Sequence, residues 1–307
     1  ENNYIELAYT DDISKDVKIE LSLGYIELTR QLQNKVIPDV GMPPDGRYFR
    51  VAITEETFHQ RAELQITSID SHRINLGIHG YQSDMANRKA GFSTDNMQTF
   101  SDFEILKDTP RNMYSLYIDD LIDITEKTSI QIGAKYDHYS DVDNQLSPRL
   151  ALIHRYDNEN IYKFMYTHSY REPSWREQYL NVPAFFSSTA DVKAETVDAY
   201  ELGYIRKINL HDHIKVNAYY LRNKDQIHAQ NPTHIFNNAG DNNLYGLEIE
   251  YKNEFTNADK FYFTYSYVHG KNVADELASS SSNLANAYYI HNLNNAISIS
   301  TIAKFID

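Results

Sequence analysis

The feature that most limits what this chain can fold into is its hydrophobic period, which stays close to two residues from one end to the other. In 129–137, Ile130, Ile132, Ala134 and Tyr136 alternate with Gln131, Gly133, Lys135 and Asp137. In 245–252, Leu247, Ile249 and Tyr251 oppose Glu248, Glu250 and Lys252; in 197–206, Tyr200, Leu202 and Tyr204 oppose Glu201, Gly203 and Ile205. Successive side chains of a β-strand point to opposite faces, so the pattern predicts strands with one apolar and one polar face. Helical spacing is hard to find.

Marked this way, the chain carries about thirteen strands, at 4–10, 16–29, 48–69, 73–84, 112–123, 128–139, 147–157, 160–171, 195–207, 213–226, 242–255, 259–271 and 287–302. Many run to a dozen residues or more, roughly twice the usual globular length. Their connections alternate. Tight ones fall at 11–15, 70–72, 124–127, 157–160, 209–213 and 256–258, and long ones at 31–47, 85–110, 140–146, 172–194, 227–240 and 272–286. If each connection is a hairpin, all tight turns gather at one end of the sheet and all long loops at the other. Outer-membrane barrels have that asymmetry, whereas a soluble sandwich has shorter strands and no reason to lengthen every second loop. The fold class expected is therefore all-β, a transmembrane antiparallel β-barrel.

Composition fits once the barrel is considered. With 29 Lys+Arg against 43 Asp+Glu the net charge is −14, which argues against binding nucleic acid through bulk positive charge. Mean hydropathy is −0.58, and the absence of any apolar run near 18 residues excludes helical spans. Barrel strands, however, give only alternate residues to lipid, and long loops are wet. The 25 Tyr suit long strands, and the absence of Cys rules out disulfides and thiolate chemistry. The chain begins at Glu1 without Met and stops within a strand-like pattern at Asp307. The expectation is a segment of something longer.

A series of linked elements carries a family resemblance. They are Ser115-Leu116-Tyr117; Gly133 with Tyr136-Asp137-His138-Tyr139; Ser147-Pro148-Arg149-Leu150; Tyr170-Arg171-Glu172-Pro173-Ser174 followed by Glu177-Gln178-Tyr179; and, downstream, 193–204, 214–227 and 237–251. In order and spacing this resembles the barrel of TonB-dependent outer-membrane receptors. Within that pattern Gly203 and Gly246 are read as strand glycines where the wall bends or passes crowded lumen contents.

The resemblance implies a barrel of 22 strands closed around an N-terminal plug, of which residues 1–307 would be a partial barrel domain, the plug and last strands lying outside the chain. It further implies uptake of a scarce iron complex, foremost a ferric siderophore, driven by TonB with ExbB and ExbD through a missing N-terminal segment. Haem or cobalamin uptake, or a passive porin-like channel, are the alternatives. Expected partners are outer-membrane lipid and the small-molecule iron complex, with no nucleic acid and no resident cofactor.

No nucleophile elbow, His-Glu-x-x-His or phosphate loop is present, so no enzyme is expected. Cargo binding then falls to the lumen and long loops. In 172–194 and just before it, Arg171, Trp175, Arg176, Tyr179, Phe185 and Phe186 combine guanidinium groups with aromatic faces, which suits an anionic or aromatic siderophore. The other reading is that Trp175 and several Tyr form an interfacial girdle. That loop holds no His, which lowers haem as cargo, while His228 and His234 flank Asn231-Pro232 in the next long loop as possible axial or metal ligands. Asp137, Asp141, Asp143 and Asn144 gather oxygen ligands without a calcium-loop spacing and are expected to form a hydrated surface. His211-Asp212-His213 is expected to be a turn.

Overall fold

A computed structural model of the chain describes residues 2–37, 47–93, 101–182, 186–188, 191–230, 235–255, 259–271, 282–294 and 296–307. Fourteen long strands form one antiparallel sheet: β1 (Asn2–Ser14), β2 (Val17–Ile37), β3 (Arg47–Ile66), β4 (His72–Ser93), β6 (Arg111–Thr125), β7 (Thr128–Tyr139), β8 (Gln145–Arg155), β9 (Asn160–Arg171), β12 (Glu195–Lys207), β13 (Asp212–Lys224), β16 (Asn242–Glu254), β17 (Asp259–Lys271), β18 (Asn283–Asn294) and β19 (Ile297–Ile306). Each pairs with its sequence neighbours in this series, as hairpins must, and the short β5 (Ser101–Glu104) adds to β4. The long connections fold too. Helix α1 (Trp175–Tyr179) and strands β10 (Asn181–Val182), β11 (Phe186–Ser188), β14 (Ile227–Gln230) and β15 (Ile235–Asn238) lie in them.

Twelve of the thirteen expected strands correspond one to one with observed strands. The thirteenth, 287–302, is two strands, β18 and β19, with only residues 295 and 296 between them, and the sequence there carries asparagine rather than Gly or Pro. The tight connections lie at one end as expected, and the long ones at the other. Loops expected at 31–47 and 85–110 are partly strand, because β2, β3 and β4 run on for 21, 20 and 22 residues. A tilted strand crosses a bilayer in about 9–11 residues. The surplus of these three strands therefore projects beyond the membrane at the long-loop end.

Register turns the alternation into two faces. On β6, Tyr114, Leu116 and Ile118 are exposed while Met113, Ser115 and Asp119 are buried. A soluble protein would invert this arrangement. The apolar outer face includes Ile78, Ile132, Leu150, Leu152, Tyr162 and Leu202, all exposed. Across it, Leu150, Tyr166, Tyr200, Tyr220, Tyr245 and His269 are each paired to the next over six strands. The Tyr166 and Tyr200 rings lie 5.0 Å apart, Tyr200 and Tyr220 6.3 Å, and Tyr245 and His269 5.2 Å. Two residues further along β9 and β12, toward the long loops, His168 meets Asp198 at 2.8 Å. An aromatic row where apolar gives way to charge marks a membrane–water interface.

The inner face is polar and built to lie flat. Tyr117 of β6 reaches across Gly77 of β4 to hydrogen-bond Glu63 of β3, and a Cβ on Gly77 would stand 2.2 Å from the Tyr117 ring. Arg149 of β8 reaches across Gly133 of β7 to Asp119 of β6 at 2.7 Å, where a Cβ would stand 2.4 Å from the Asp119 carboxylate. Gly246 is crowded in the same way by Tyr219, whereas Gly203 has ordinary space above it. Pro148 sits near the start of β8, where β8 pairs with β7 but is not yet paired with β9, a place where a missing N–H is tolerated. Strands β1 and β19 are the two edges of the sheet, and no pairing joins them among the described residues.

Candidate functional site

Two features at the polar side of this wall are candidates: a cluster of long loops at one end, and a trough along the inner face. The loop cluster is held by Arg111, the first residue of β6. Its Nε donates to both Asp141 carboxylate oxygens at 2.9 and 3.0 Å, its Nη1 to the Pro173 carbonyl at 2.9 Å, and its Nη2 to Asp141 and to Gln178 Oε1, each at 2.9 Å. Gln178 Nε2 returns to the Asp141 carbonyl at 2.6 Å, and the guanidinium lies 4.6 Å over the Trp175 ring. Arg111 and Pro173 are fully buried. One side chain thus ties the start of β6 to the β7–β8 and β9–β12 connections.

The segment after β9 is shaped by its own residues. Ser174 caps α1: its hydroxyl accepts from the Glu177 backbone N–H, and the Glu177 carboxylate accepts from the Ser174 backbone N–H, a capping box. Glu177 also takes Arg171 at 2.8 and 3.0 Å, and Arg171 reaches on to Glu195 at 2.8 Å. Burial alone would raise the Glu177 carboxyl, but Arg171 and the Ser174 donors outweigh it and hold it below the usual carboxylate range. Tyr179 donates to Asp141 at 3.1 Å, and burial together with the neighbouring Asp141 charge pushes its phenol up to about 12. Under α1, Ala90, Ile105, Leu106, Leu180, Val192, Ile227 and Phe236 form an apolar core shared by several connections. Strand β11 pairs with β15 in parallel, joining the β9–β12 connection to the β13–β16 connection.

The expected binding residues therefore fall into three groups. Arg171 is an ion-pair clamp, Trp175 packs on the shared core and donates its Nε1–H to the Thr109 carbonyl at 3.1 Å, and Tyr179 belongs to the Arg111 cluster. Trp175 is not part of the outward aromatic row. Arg176 is exposed, with its guanidinium 5.6 Å over the Phe236 ring, and His228 is exposed on β14. Phe186 lies in β11, and Phe185 and His234 lie outside the described residues. Asp137 and Asp141 are not hydrated as expected: both are buried, Asp141 on Arg111 and Asp137 on Lys135 at 2.9 Å. His211 does fall in the tight turn before β13, where Asn209 Oδ1 accepts its backbone N–H at 2.7 Å. Sequence reading missed Arg111, because a lone Arg at a strand start carries no local signal; its partners lie 30 and 67 residues away.

Along the inner face runs an open trough of about 980 Å³, lined from β1 to β9. Its floor repeats one unit, a carboxylate tucked under a cation: Glu63 with Arg61, Asp119 with Arg149, Asp137 with Lys135. Of these, Asp137 and Arg149 belong to the motifs read from the sequence.

An inside-out antiparallel sheet with an aromatic rim, tight turns at one end and structured loops at the other defines a transmembrane β-barrel receptor wall. A family model described as "TonB dependent receptor-like, beta-barrel" matches residues 3–301, and the chain belongs to that family. Solved structures agree on the fold. The copper transporter OprC superposes with a TM-score of 0.80 at 15% identity, over 99% of this chain and 51% of that one. A mutant of the ferric enterobactin receptor PfeA from Pseudomonas aeruginosa gives 0.75 at 14%, over 99% and 49%. The siderophore receptor PiuA from Acinetobacter baumannii gives 0.75 at 12%, over 100% and 54%. The chain thus spans about half the length of these receptors. No curated protein matches it.

Proposed function

We propose that these 307 residues are the barrel portion of an outer-membrane receptor that takes up a scarce iron complex, foremost a ferric siderophore. In this reading the plug and the TonB-contacting segment belong to the rest of the protein. The observation that carries it is the coexistence of a lipid-type outer face with a loop cluster too ordered for a passive pore. The Arg111 hub and the shared core under α1 hold Arg176 and His228 exposed near one another's elements, as a preformed capture surface needs. Siderophore receptors among the structural neighbours support the same cargo class.

Capture at the loops is a binding step. Transport past a plug needs work, and the outer membrane sustains no proton gradient. Coupling through TonB with ExbB and ExbD supplies that energy. The test is growth of a deletion strain under iron limitation with a ferric siderophore, haem, cobalamin or copper as the varied nutrient, repeated without TonB. The expected result is a siderophore-specific defect reproduced by loss of TonB. A defect confined to copper, haem or cobalamin would reassign the cargo, and uptake independent of TonB would overturn active transport.

A further inference from the structure

We infer that the lipid side of the wall, where β9, β12, β13 and β16 rise past the aromatic row toward the long loops, is a docking surface for the phosphate-bearing headgroup of a glycolipid. This rests on the receptor reading above only for the placement of the wall in an outer membrane with its long loops outside; the cargo does not enter it.

The register lays the surface out. Beyond the row of Tyr166, Tyr200, Tyr220 and Tyr245, the next rung on the same face is His168, Asp198, Arg222 and Asn243. Lys224 follows two residues beyond Arg222 on β13. Arg222 and Asn243 are exposed, and Lys224 is partly exposed. Alternate residues of a strand share a face about 6.6 Å apart, so these two long cations can converge on one phosphate. Strands β12, β13 and β16 are each paired on both sides. The surface also faces away from the lumen, so neither a further strand nor a plug would cover it.

Both cations are left free by their surroundings. Arg222 stands opposite Asp198, and opposite charges directly across a ladder ordinarily pair. Here the Asp198 carboxylate is turned the other way: its Oδ1 accepts the Tyr166 hydroxyl at 3.1 Å and lies 2.8 Å from His168 Nδ1. Neither Arg222 nor Lys224 makes a hydrogen bond or ion pair among the described residues. The next carboxylates, Asp225 and Asp241, belong to the β13–β16 connection, where Asp241 accepts the Asp225 backbone N–H at 3.3 Å. In a chain of net charge −14 this is a local excess of cation. It is not a general one, because on the lipid face of β2, β3 and β4 one rung toward the long loops is Glu27, Glu56 and Asp84.

The chemistry selects the occupant. A guanidinium offers phosphate two parallel donors, and an ammonium adds a compact charge. Tyr220 and Tyr245, both exposed, stand one step below Arg222 and Asn243, where amphipathic rings meet the junction of headgroup and acyl chain. The Asn243 amide offers a donor and an acceptor to sugar hydroxyls. A free phosphate would make no use of that row or of the lipid-facing side, so the ligand is the headgroup of a lipid.

The test uses the full-length receptor purified from the outer membrane and stripped of lipid in detergent, with diphosphoryl lipid A as the probe, counted per receptor by native mass spectrometry. Arg222→Gln with Lys224→Gln removes the surface; Lys15→Gln with Lys127→Gln removes the same charge at the tight-turn end. Exchange of the two cations, Arg222→Lys with Lys224→Arg, keeps the charge in place. Thermal melting followed by circular dichroism confirms that each variant folds. The expected result is binding about tenfold weaker in the Gln pair at 222 and 224, and within about twofold of the parent in the exchange and in the tight-turn pair. Monophosphoryl lipid A should bind more weakly than the diphosphoryl form, and equimolar inorganic phosphate should displace neither. Equal binding by the parent and the Gln pair at 222 and 224 would overturn the inference, leaving two cations that merely reach for water. So would an equal loss in the tight-turn pair, or displacement by inorganic phosphate. A growth test that reassigns or removes the cargo leaves the lipid result standing, whereas long loops shielded from protease on intact cells would remove the placement of the wall and the inference with it.

Discussion

At the residue scale the loop cluster depends on a buried cation whose donors are matched. That cation is Arg111: five hydrogen bonds and a stacked Trp175 converge on one guanidinium. Removing one partner of a buried pair leaves the other uncompensated, at a cost of about 3–5 kcal/mol, whereas removing both is far cheaper. Arg111→Ala is expected to lower unfolding stability by that order and to expose amides at 173–182 to hydrogen exchange. Combining it with Asp141→Ala should restore much of the loss, measured by denaturant titration of both variants. The wall obeys a steric rule as well. Gly77→Ala places a methyl where the Tyr117 ring lies, so the ring must leave Glu63, at about 1–3 kcal/mol for overpacking; the same change at Gly203, where there is room, should be nearly silent on the same titration.

At the element scale, strands were legible in the sequence and the loops were not, for a physical reason. A strand with two faces writes its period locally, so Ile130 to Asp137 announces β7. The break between β18 and β19 is written in asparagine alone and was hidden. Helix α1 is capped by its own Ser174 and Glu177 but docked by contacts distant in sequence, so the Pro173-Ser174 motif was visible while its partners Arg111 and Asp141 were not. Because the Glu177 carboxyl is held below its ordinary value, its stabilising contribution is complete above the unfolded value, about 4.3, and is lost as pH falls through the depressed folded value. Trp175, the only tryptophan, sits in this helix and reports it. Its emission should shift red as pH drops below about 4, and Glu177→Gln should already be shifted at neutral pH. On the outer face, Leu202→Arg, two residues inside the aromatic row, should cost between the about 0–1 kcal/mol of an interfacial Arg and the about 2–4 kcal/mol of one at the midplane, while Thr264→Arg on the exposed inner face of β17 should be nearly neutral in unfolding from lipid vesicles.

At the scale of the whole molecule, the fourteen-strand path ends on two edges. Strands β1 and β19 each hydrogen-bond on one side only among the described residues, and both are exposed along their length. In hydrocarbon an unpaired backbone group costs several kcal/mol, so a spanning sheet must close. Strand β19 alone covers ten residues, and about half the backbone groups of an edge strand face away from its partner. The resulting penalty, of the order of tens of kcal/mol, exceeds the stability of an ordinary domain. Closing these fourteen strands on themselves would relieve it, but β1 and β19 are not paired among the described residues. The 307 residues expressed alone are therefore expected to resist insertion into lipid vesicles, staying protease-sensitive and giving no discrete conductance. Co-expression with the remaining strands of a longer receptor should confer both protection and closure. A defined channel from the 307 residues alone would show that β1 and β19 can pair, and with it that the wall described here is a complete barrel.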